Sequence, residues 1–231
     1  MKTTPAALVA LLLFLQPESA AAISPRTYFE QRCESEMKPR LEVVTHEFGF
    51  QVLNNLSSGV LNGRGTRSYA SELLIGMTAL QSRTEIEMDA PGLVDTSRNL
   101  ECVAPKVRVN LTFPRMDVYV AREFSPGSCS FREILAHEMQ HVAIYREQLP
   151  RLERLIRARL NERFANRPLY APNGAGITAL EREVDDWLRP MIQTELKIIE
   201  DAQMALDTPE EDHRLTHACF GEVSSRMGIR W

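Results

Sequence analysis

The spacing of apolar residues changes near the middle of the chain, and this change limits the folds that the sequence can adopt. From Val107 to Phe113, apolar and polar residues alternate strictly, which is the period of a half-buried β-strand. After the turn residues Pro126 and Gly127, apolar residues recur at helical spacing over most of the remaining sequence. Strands followed by helices are the order of an α+β fold. We therefore predict an N-terminal antiparallel β-sheet packed on long C-terminal helices.

The other predicted elements follow from the same two periods. Further strands are predicted within Leu41–Leu53, within Gly76–Met88 and at Met116–Val120. Helical segments are predicted over residues 130–149, 150–164 and 178–207, with bends at Pro150 and Pro190. Residues 167–176 are rich in Pro and Gly and are predicted as a loop. Thr208 followed by Pro209 predicts the start of a short last helix.

The N-terminus has the pattern of a secretory signal peptide. An apolar run over residues 6–15 follows a basic residue and is too short to span a bilayer. Small residues follow this run, and cleavage near Ala21 or Ala22 fits them. We therefore expect an exported protein, periplasmic or extracellular, whose mature part has no membrane-spanning helix. The predicted units are a signal peptide over 1–22 and one mature domain over 23–231, mainly β over 23–127 and mainly α over 128–231.

All cysteines lie in the mature part of the chain. They are Cys33, Cys102, Cys129 and Cys219. An even number of cysteines in an exported chain favours two disulfides, and the sequence leaves the pairing open. A bridge at Cys129 would fix the start of the helix that follows it.

Residues His137, Glu138, Met139, Gln140 and His141 form an HExxH pattern within the predicted helix. Helical residues four positions apart lie one turn apart on the same face, so the two imidazoles can share one Zn²⁺. Glu138 lies about 100° around the helix, where it can reach a water molecule at the metal. We predict His137 and His141 as metal ligands and Glu138 as a general base.

A catalytic zinc site generally has three protein ligands, so a third ligand must come from elsewhere. The metzincin pattern is excluded, because the chain has Ile144 and Glu147 where that pattern has Gly and His. Glu195 lies near the centre of an apolar stripe on the long helix, where a lone carboxylate is costly unless it binds a cation. We therefore predict Glu195 as the third ligand. The stripe consists of Leu180, Val184, Leu188, Met191, Ile198, Ala202 and Leu206.

Helix geometry keeps other third ligands open. If residues 130–164 form one helix and the long helix returns antiparallel to it, residues 200–207 lie beside the two histidines. Glu195 is then displaced by roughly 10 Å along the axis, and only an oblique crossing would bring it to the metal. The remaining candidates are Asp207, His213 and His217.

The sequence resembles the HExxH zinc metalloproteases (zincins), in particular a bacterial family of predicted secreted zinc-dependent proteases. The resemblance covers roughly two-thirds of the mature chain. The segments that carry it are Gly76–Thr78, Val107–Phe113, Met116–Val120 and Ile134–His141. It implies a zincin-like α+β fold, Zn²⁺ as cofactor and protease activity. It also implies an Asp and a His after the last long helix, roughly where Asp207 and His213 stand.

These patterns predict a secreted zinc-dependent endopeptidase that acts on a peptide or protein substrate. Glu138 would take a proton from water and deliver it to the leaving amine. Tyr170 is a candidate hydrogen-bond donor to the oxyanion, and the strand Met116–Val120 is a candidate for pairing with an extended peptide. Two alternatives remain, a zinc amidase acting on cell-wall peptides and a non-enzymatic, disulfide-stapled binding module. The net charge of −4 gives no indication of a nucleic-acid partner.

Overall fold

The computed structural model describes residues 26–47, 49–65, 73–165 and 167–229, so the predicted signal peptide lies outside it. These residues form six α-helices and nine β-strands, and none of the helices is long and apolar enough to cross a membrane. The helices are α1 (Tyr28–Glu36), α2 (Ser58–Arg64), α3 (Cys129–Phe164), α4 (Gly176–Glu183), α5 (Arg189–Met204) and α6 (Pro209–Met227). The strands are β1 (Arg40–Glu47), β2 (Phe50–Leu53), β3 (Gly76–Ala79), β4 (Arg83–Asp89), β5 (Gly92–Asp95), β6 (Leu100–Val103), β7 (Lys106–Phe113), β8 (Met116–Val120) and β9 (Leu169–Pro172).

Two three-stranded sheets lie end to end, because two chain segments each contribute one strand to the first sheet and the next strand to the second. Strand β7 is central in the first sheet (β1-β7-β4), and β8 is central in the second (β2-β8-β3). The parallel ladder keeps one register across the break between them, with Arg40 opposite Lys106 and Phe50 opposite Met116. Helix α3 contacts both halves, with the HExxH end beside β8 and β3.

The fold is α+β, but the predicted antiparallel sheet is wrong for these two sheets, which are mixed. Strands β1 and β2 run parallel to β7 and β8, whereas β4 and β3 run antiparallel to them. Alternation of apolar residues determines which face of a strand is buried, but it carries no information on the direction of the neighbouring strand. Only the small sheet β5-β6-β9 is wholly antiparallel, and β9 lies within the predicted loop over residues 167–176.

Helix α3 packs its apolar face on the first sheet. Leu152 and Ile156 are buried in one hydrophobic cluster with Val109 and Leu111 of β7. Pro150 lies inside α3 without ending it, so the segments predicted over residues 130–149 and 150–164 form one helix. Because the buried residues on both sides of Pro150 continue one apolar face, packing outweighs the backbone hydrogen bond that proline loses.

The predicted long helix over residues 178–207 is divided by a π-helical turn, Val184–Leu188, which joins α4 to α5. Pro190 then stands in the first turn of α5, where a missing N–H is tolerated. A π-helical turn contains one extra residue, so the face that is buried beyond it shifts by one position. The buried residues of α5 are accordingly Ile192, Ile199 and Gln203, each one position after the predicted Met191, Ile198 and Ala202.

Helix α6 begins at the predicted position. Thr208 accepts a hydrogen bond from the Glu211 backbone amide (3.2 Å), and Pro209 occupies the first helical position. The helix loses helical backbone angles at Ala218–Gly221 and resumes before it ends at Met227.

Two disulfides are present, which confirms the expectation from the cysteine count. Cys33–Cys102 joins α1 to β6, and Cys129–Cys219 joins the first residue of α3 to the interruption in α6. The second bridge therefore fixes the start of the helix that carries the HExxH residues. Two disulfides fit a protein that is exported to an oxidising compartment.

Candidate metal centre

The HExxH residues lie in the buried first half of α3. Ser128 caps this helix by accepting a hydrogen bond from the Phe131 backbone amide (3.1 Å). His137, Glu138 and His141 are each less than a tenth exposed, although all three are polar. Buried polar side chains need partners, so the neighbours of these residues determine what the helix can do.

Three possible metal-ligand atoms converge beside α3. The Nε2 atoms of His137 and His141 are 3.3 Å apart. Oδ1 of Asp207 lies 3.1 Å from Nε2 of His137 and 3.0 Å from Nε2 of His141. No other group of three or more His, Cys, Asp or Glu side chains in the described ranges has a spacing suited to a metal ion.

Asp207 stands where Glu195 was predicted to stand. Glu195 lies eight residues before Gln203, or about 12 Å along the axis of α5, and Gln203 is the residue of α5 that contacts His141. The π-helical turn also moves Glu195 away from the centre of the buried face, and its side chain is half-buried. Water can therefore solvate the carboxylate, which removes the energetic reason for a bound cation. The geometry therefore favours Asp207, in the corner between α5 and α6, over Glu195.

The two remaining candidates lie elsewhere on α6. His213 and His217 are exposed, and their rings stack with centroids 3.9 Å apart. Neither belongs to the group of three converging ligand atoms. Asp207 is thus the one candidate third ligand that the structure brings to the two histidines.

The other ring nitrogen of each histidine has a hydrogen-bond acceptor. Nδ1 of His141 donates to Oε1 of Gln203 (2.7 Å), and the side-chain nitrogen of Gln203 donates to the His141 carbonyl (3.2 Å). Nδ1 of His137 donates to the Glu211 carboxylate (3.2 Å). These acceptors favour a proton on each Nδ1, so that a metal ion could bind Nε2 of each ring in place of the proton that Nε2 shares with Asp207.

Glu211 is itself held in place by Arg214. The Arg214 guanidinium donates two hydrogen bonds of 2.8 Å to Glu211 and a third, of 2.9 Å, to Glu133 on α3. The hydrogen bonds from Arg214, with a smaller contribution from His137, lower the pKa of Glu211. The carboxylate is therefore kept ionised as an acceptor for His137.

Glu138 is enclosed by strand β3. The Thr78 hydroxyl donates to Oε2 of Glu138 (2.8 Å). Gly76 lies so close to Oε1 that any side chain at position 76 would collide with the carboxylate. Burial raises the pKa of Glu138, against the opposing effect of the two histidines. The missing side chain at position 76 thus makes room for this carboxylate beside the histidines.

The charges of His137, His141 and Asp207 are coupled. Burial opposes protonation of the histidines, but hydrogen bonds to Asp207 and the nearby Glu138 carboxylate outweigh it and raise the pKa of both imidazoles. Burial likewise opposes ionisation of Asp207, but hydrogen bonds from the two histidines hold the pKa of this carboxyl below its usual range. The point where the three groups meet therefore attracts positive charge, which either protons or a metal cation can supply.

These residues line a cavity of about 540 Å³, which is within the usual range for ligand sites. Two predicted substrate contacts do not belong to it. Tyr170 lies on β9 and is not part of the lining, and β8 (Met116–Val120) is hydrogen-bonded on both sides and has no free edge. In the part of the chain that the structure describes, β3 pairs on one side only, and its residues line the cavity.

The spacing of the three possible ligand atoms is close to that of a tetrahedral zinc site. Bonds of about 2.0–2.1 Å in a tetrahedral arrangement place ligand atoms about 3.3–3.4 Å apart, close to the 3.0–3.3 Å found here. Three protein ligands leave a fourth position for water or substrate, as in catalytic zinc sites and unlike closed structural sites. No family model, curated protein or solved structure matches the chain.

The HExxH residues are recognisable in the sequence, whereas the polar side chains that support them are not. Glu211 stands three residues after Thr208, which is the spacing of a helix capping box, but its side chain contacts His137. The other two supporting residues come from segments distant in sequence and carry no local pattern. The three missed residues are Thr78, Gln203 and Glu211.

Proposed function

We propose that this protein is a zinc-dependent hydrolase, an endopeptidase that cleaves peptide bonds with water. One observation carries the proposal: three ligand atoms with zinc spacing meet beside a buried glutamate, within a cavity that is open to solvent. The resemblance of the sequence to secreted zinc proteases agrees with this function.

In this proposal His137, His141 and Asp207 hold Zn²⁺. When bound, zinc polarises the scissile carbonyl and lowers the pKa of water at the site. Glu138 is the general base, and because Thr78 occupies its Oε2, Oε1 accepts the proton of the attacking water. The water oxygen bonds to the carbonyl carbon. Oε1 then delivers the proton to the amide nitrogen as the C–N bond breaks.

An extended peptide is proposed to bind along β3. The outer edge of this strand is unpaired within the described residues, so its main-chain groups can bond to a peptide by strand addition. Thr78 lies on β3 and contacts Glu138, so a peptide on this edge passes next to the base. An unpaired strand edge beside the base suits an extended peptide better than a small amide, which favours an endopeptidase.

The substitution Glu138→Gln tests the role of the base. It should leave zinc content unchanged and lower peptide cleavage by about 10²–10⁴-fold, the usual contribution of a general base. The control Glu147→Gln changes an exposed glutamate on the same helix and should leave both quantities unchanged.

Zinc content is measured by atomic emission, and turnover is measured on a fluorogenic peptide library. Full turnover by the Glu138→Gln protein would contradict its assignment as the base. Cleavage of purified cell wall, with no cleavage of any peptide in the library, would instead favour the amidase alternative.

A further inference from the structure

Tyr145 is a cavity residue that the proposed reaction has not used. It lies on α3 one helical turn after His141, and it lines the same cavity as the three ligand residues. Side chains on a helix lean toward its N-terminus and cover the preceding turn. The Tyr145 ring therefore extends from its own turn toward the turn that carries His141.

The Tyr145 ring is held in place by apolar neighbours. It is half-buried and packs against two hydrophobic clusters, one that includes Leu149 and one formed by Met116, Val118 and Val142. A ring held on two sides keeps its hydroxyl in a restricted position. This is the arrangement that a pre-organised hydrogen-bond donor requires.

The Tyr145 hydroxyl has no hydrogen-bond partner among the described residues. Within the same residues no buried polar side-chain atom lacks a partner, so this hydroxyl must be reached by solvent. Tyr145 lines the cavity, so the cavity is a solvent space from which its hydroxyl can be reached. Burial, and then the nearby Glu200 carboxylate, raise the pKa of Tyr145, so the hydroxyl keeps its proton at neutral pH.

Most of the other side-chain donors in the cavity lining are occupied or peripheral. The Thr78 hydroxyl is bonded to Glu138, and the Gln203 side chain is bonded to the backbone and ring of His141. The long side chains of Arg64 and Gln81 belong to exposed residues. Tyr145 thus offers an uncommitted donor on a fixed side chain close to the metal-ligand residues.

We propose that the Tyr145 hydroxyl donates a hydrogen bond to the scissile carbonyl oxygen as this oxygen becomes negatively charged. The hydrogen bond strengthens when water adds to the carbonyl carbon and weakens when the C–N bond breaks, and Tyr145 gives up no proton. This inference rests on the proposed hydrolase function. It assigns to Tyr145 the catalytic role that was predicted for Tyr170.

The test is Tyr145→Phe, which removes the hydroxyl and keeps the ring. Loss of one oxyanion donor should lower kcat by about 10²–10³-fold, with zinc content and KM unchanged. The matched control is Tyr119→Phe. Tyr119 is also half-buried, but its hydroxyl donates to Asp117 (3.2 Å) and it does not line the cavity, so this variant should keep full kcat.

A binding measurement supplies a readout that does not depend on turnover. The probe is a phosphonamidate analogue of the best-cleaved library peptide, because its tetrahedral anionic group resembles the transition state. Titration calorimetry on zinc-loaded protein should show that Tyr145→Phe weakens binding of this probe by a factor similar to the loss in kcat. Binding of the uncleaved peptide, measured in the Glu138→Gln background, should be the same with Tyr145 or Phe at position 145.

The outcomes separate this inference from the function on which it rests. If wild-type protein cleaves peptides and Tyr145→Phe retains its kcat and its affinity for the phosphonamidate, the role of Tyr145 is overturned and the hydrolase proposal stands. A larger KM with unchanged kcat also overturns it, because the side chain would then bind substrate and not the transition state. If zinc-loaded wild-type protein cleaves no peptide, both proposals fail together.

Discussion

The two sides of the metal site are encoded in different ways. On one side, helix periodicity alone brings His137, Glu138 and His141 together, because they lie within five residues of α3. On the other side, Gln203 and Asp207 come from the corner between α5 and α6 and reach the histidines only through tertiary packing. A local pattern therefore identifies half of the site, and the other half depends on how three helices meet. Substitutions in the corner between α5 and α6 separate the contribution of this corner to zinc binding from that of α3.

The largest effect in the corner is expected for Asp207→Ala. Loss of this ligand should weaken zinc binding by more than about 100-fold, the upper end of what supporting residues contribute, and should abolish peptide cleavage. Glu195→Ala is the matched control on α5 and should retain both zinc and activity. Zinc affinity is measured by competition with a chromogenic chelator. Loss of zinc in Glu195→Ala, with zinc retained in Asp207→Ala, would restore the ligand predicted from the sequence.

The sequence favoured Glu195 and the geometry favours Asp207, and the difference has a physical reason. The apolar stripe assumed a regular helix, whereas the π-helical turn Val184–Leu188 adds one residue and moves the buried face to Ile199 and Gln203. Counting helical residues back from the histidines did point to positions 200–207. This count retained Asp207 as a candidate ligand, because the count depends on the antiparallel packing of two helices and not on the position of an apolar stripe.

The strands were easier to predict than their arrangement. The alternating segment Val107–Phe113 is β7 almost residue for residue, and its apolar side chains are buried as expected. That β1 runs parallel to β7 depends on the path of the chain between them, which passes through six other elements within the described residues. The local periodicity of a strand carries no information on that path.

A smaller effect is expected from the residues that orient the histidines. Gln203→Leu and Glu211→Gln each remove or weaken the acceptor for one Nδ1–H, and each should lower zinc affinity by about 10–100-fold. The controls Gln193→Leu and Glu210→Gln change exposed residues on the same helices and should have no effect. Unchanged zinc affinity in both Gln203→Leu and Glu211→Gln would mean that α3 alone orients the imidazoles.

The smallest effect on zinc is expected from the disulfides, which provide a second comparison. Their sequence separations are similar, 69 residues for Cys33–Cys102 and 90 for Cys129–Cys219. Replacing either pair by alanine should therefore cost about 2–5 kcal/mol in the free energy of unfolding.

Only the loss of Cys129–Cys219 should also weaken zinc binding, by a few-fold, because this bridge ties α3 to the helix that carries Glu211. Unfolding is followed in denaturant with metal-free protein, and zinc affinity is then titrated below the unfolding transition. An equal loss of zinc affinity in both variants would show that the bridges act only through overall stability.

The central claim is that His137, His141 and Asp207 form a metal site, and the zinc content of the oxidised mature protein tests it most directly. After dialysis against a weak chelator, wild-type protein should retain one zinc ion per chain, and His137→Ala should retain none. If the wild type holds no zinc even after zinc is supplied, the claim is contradicted. The disulfide-stapled binding module would then be the better account of this chain.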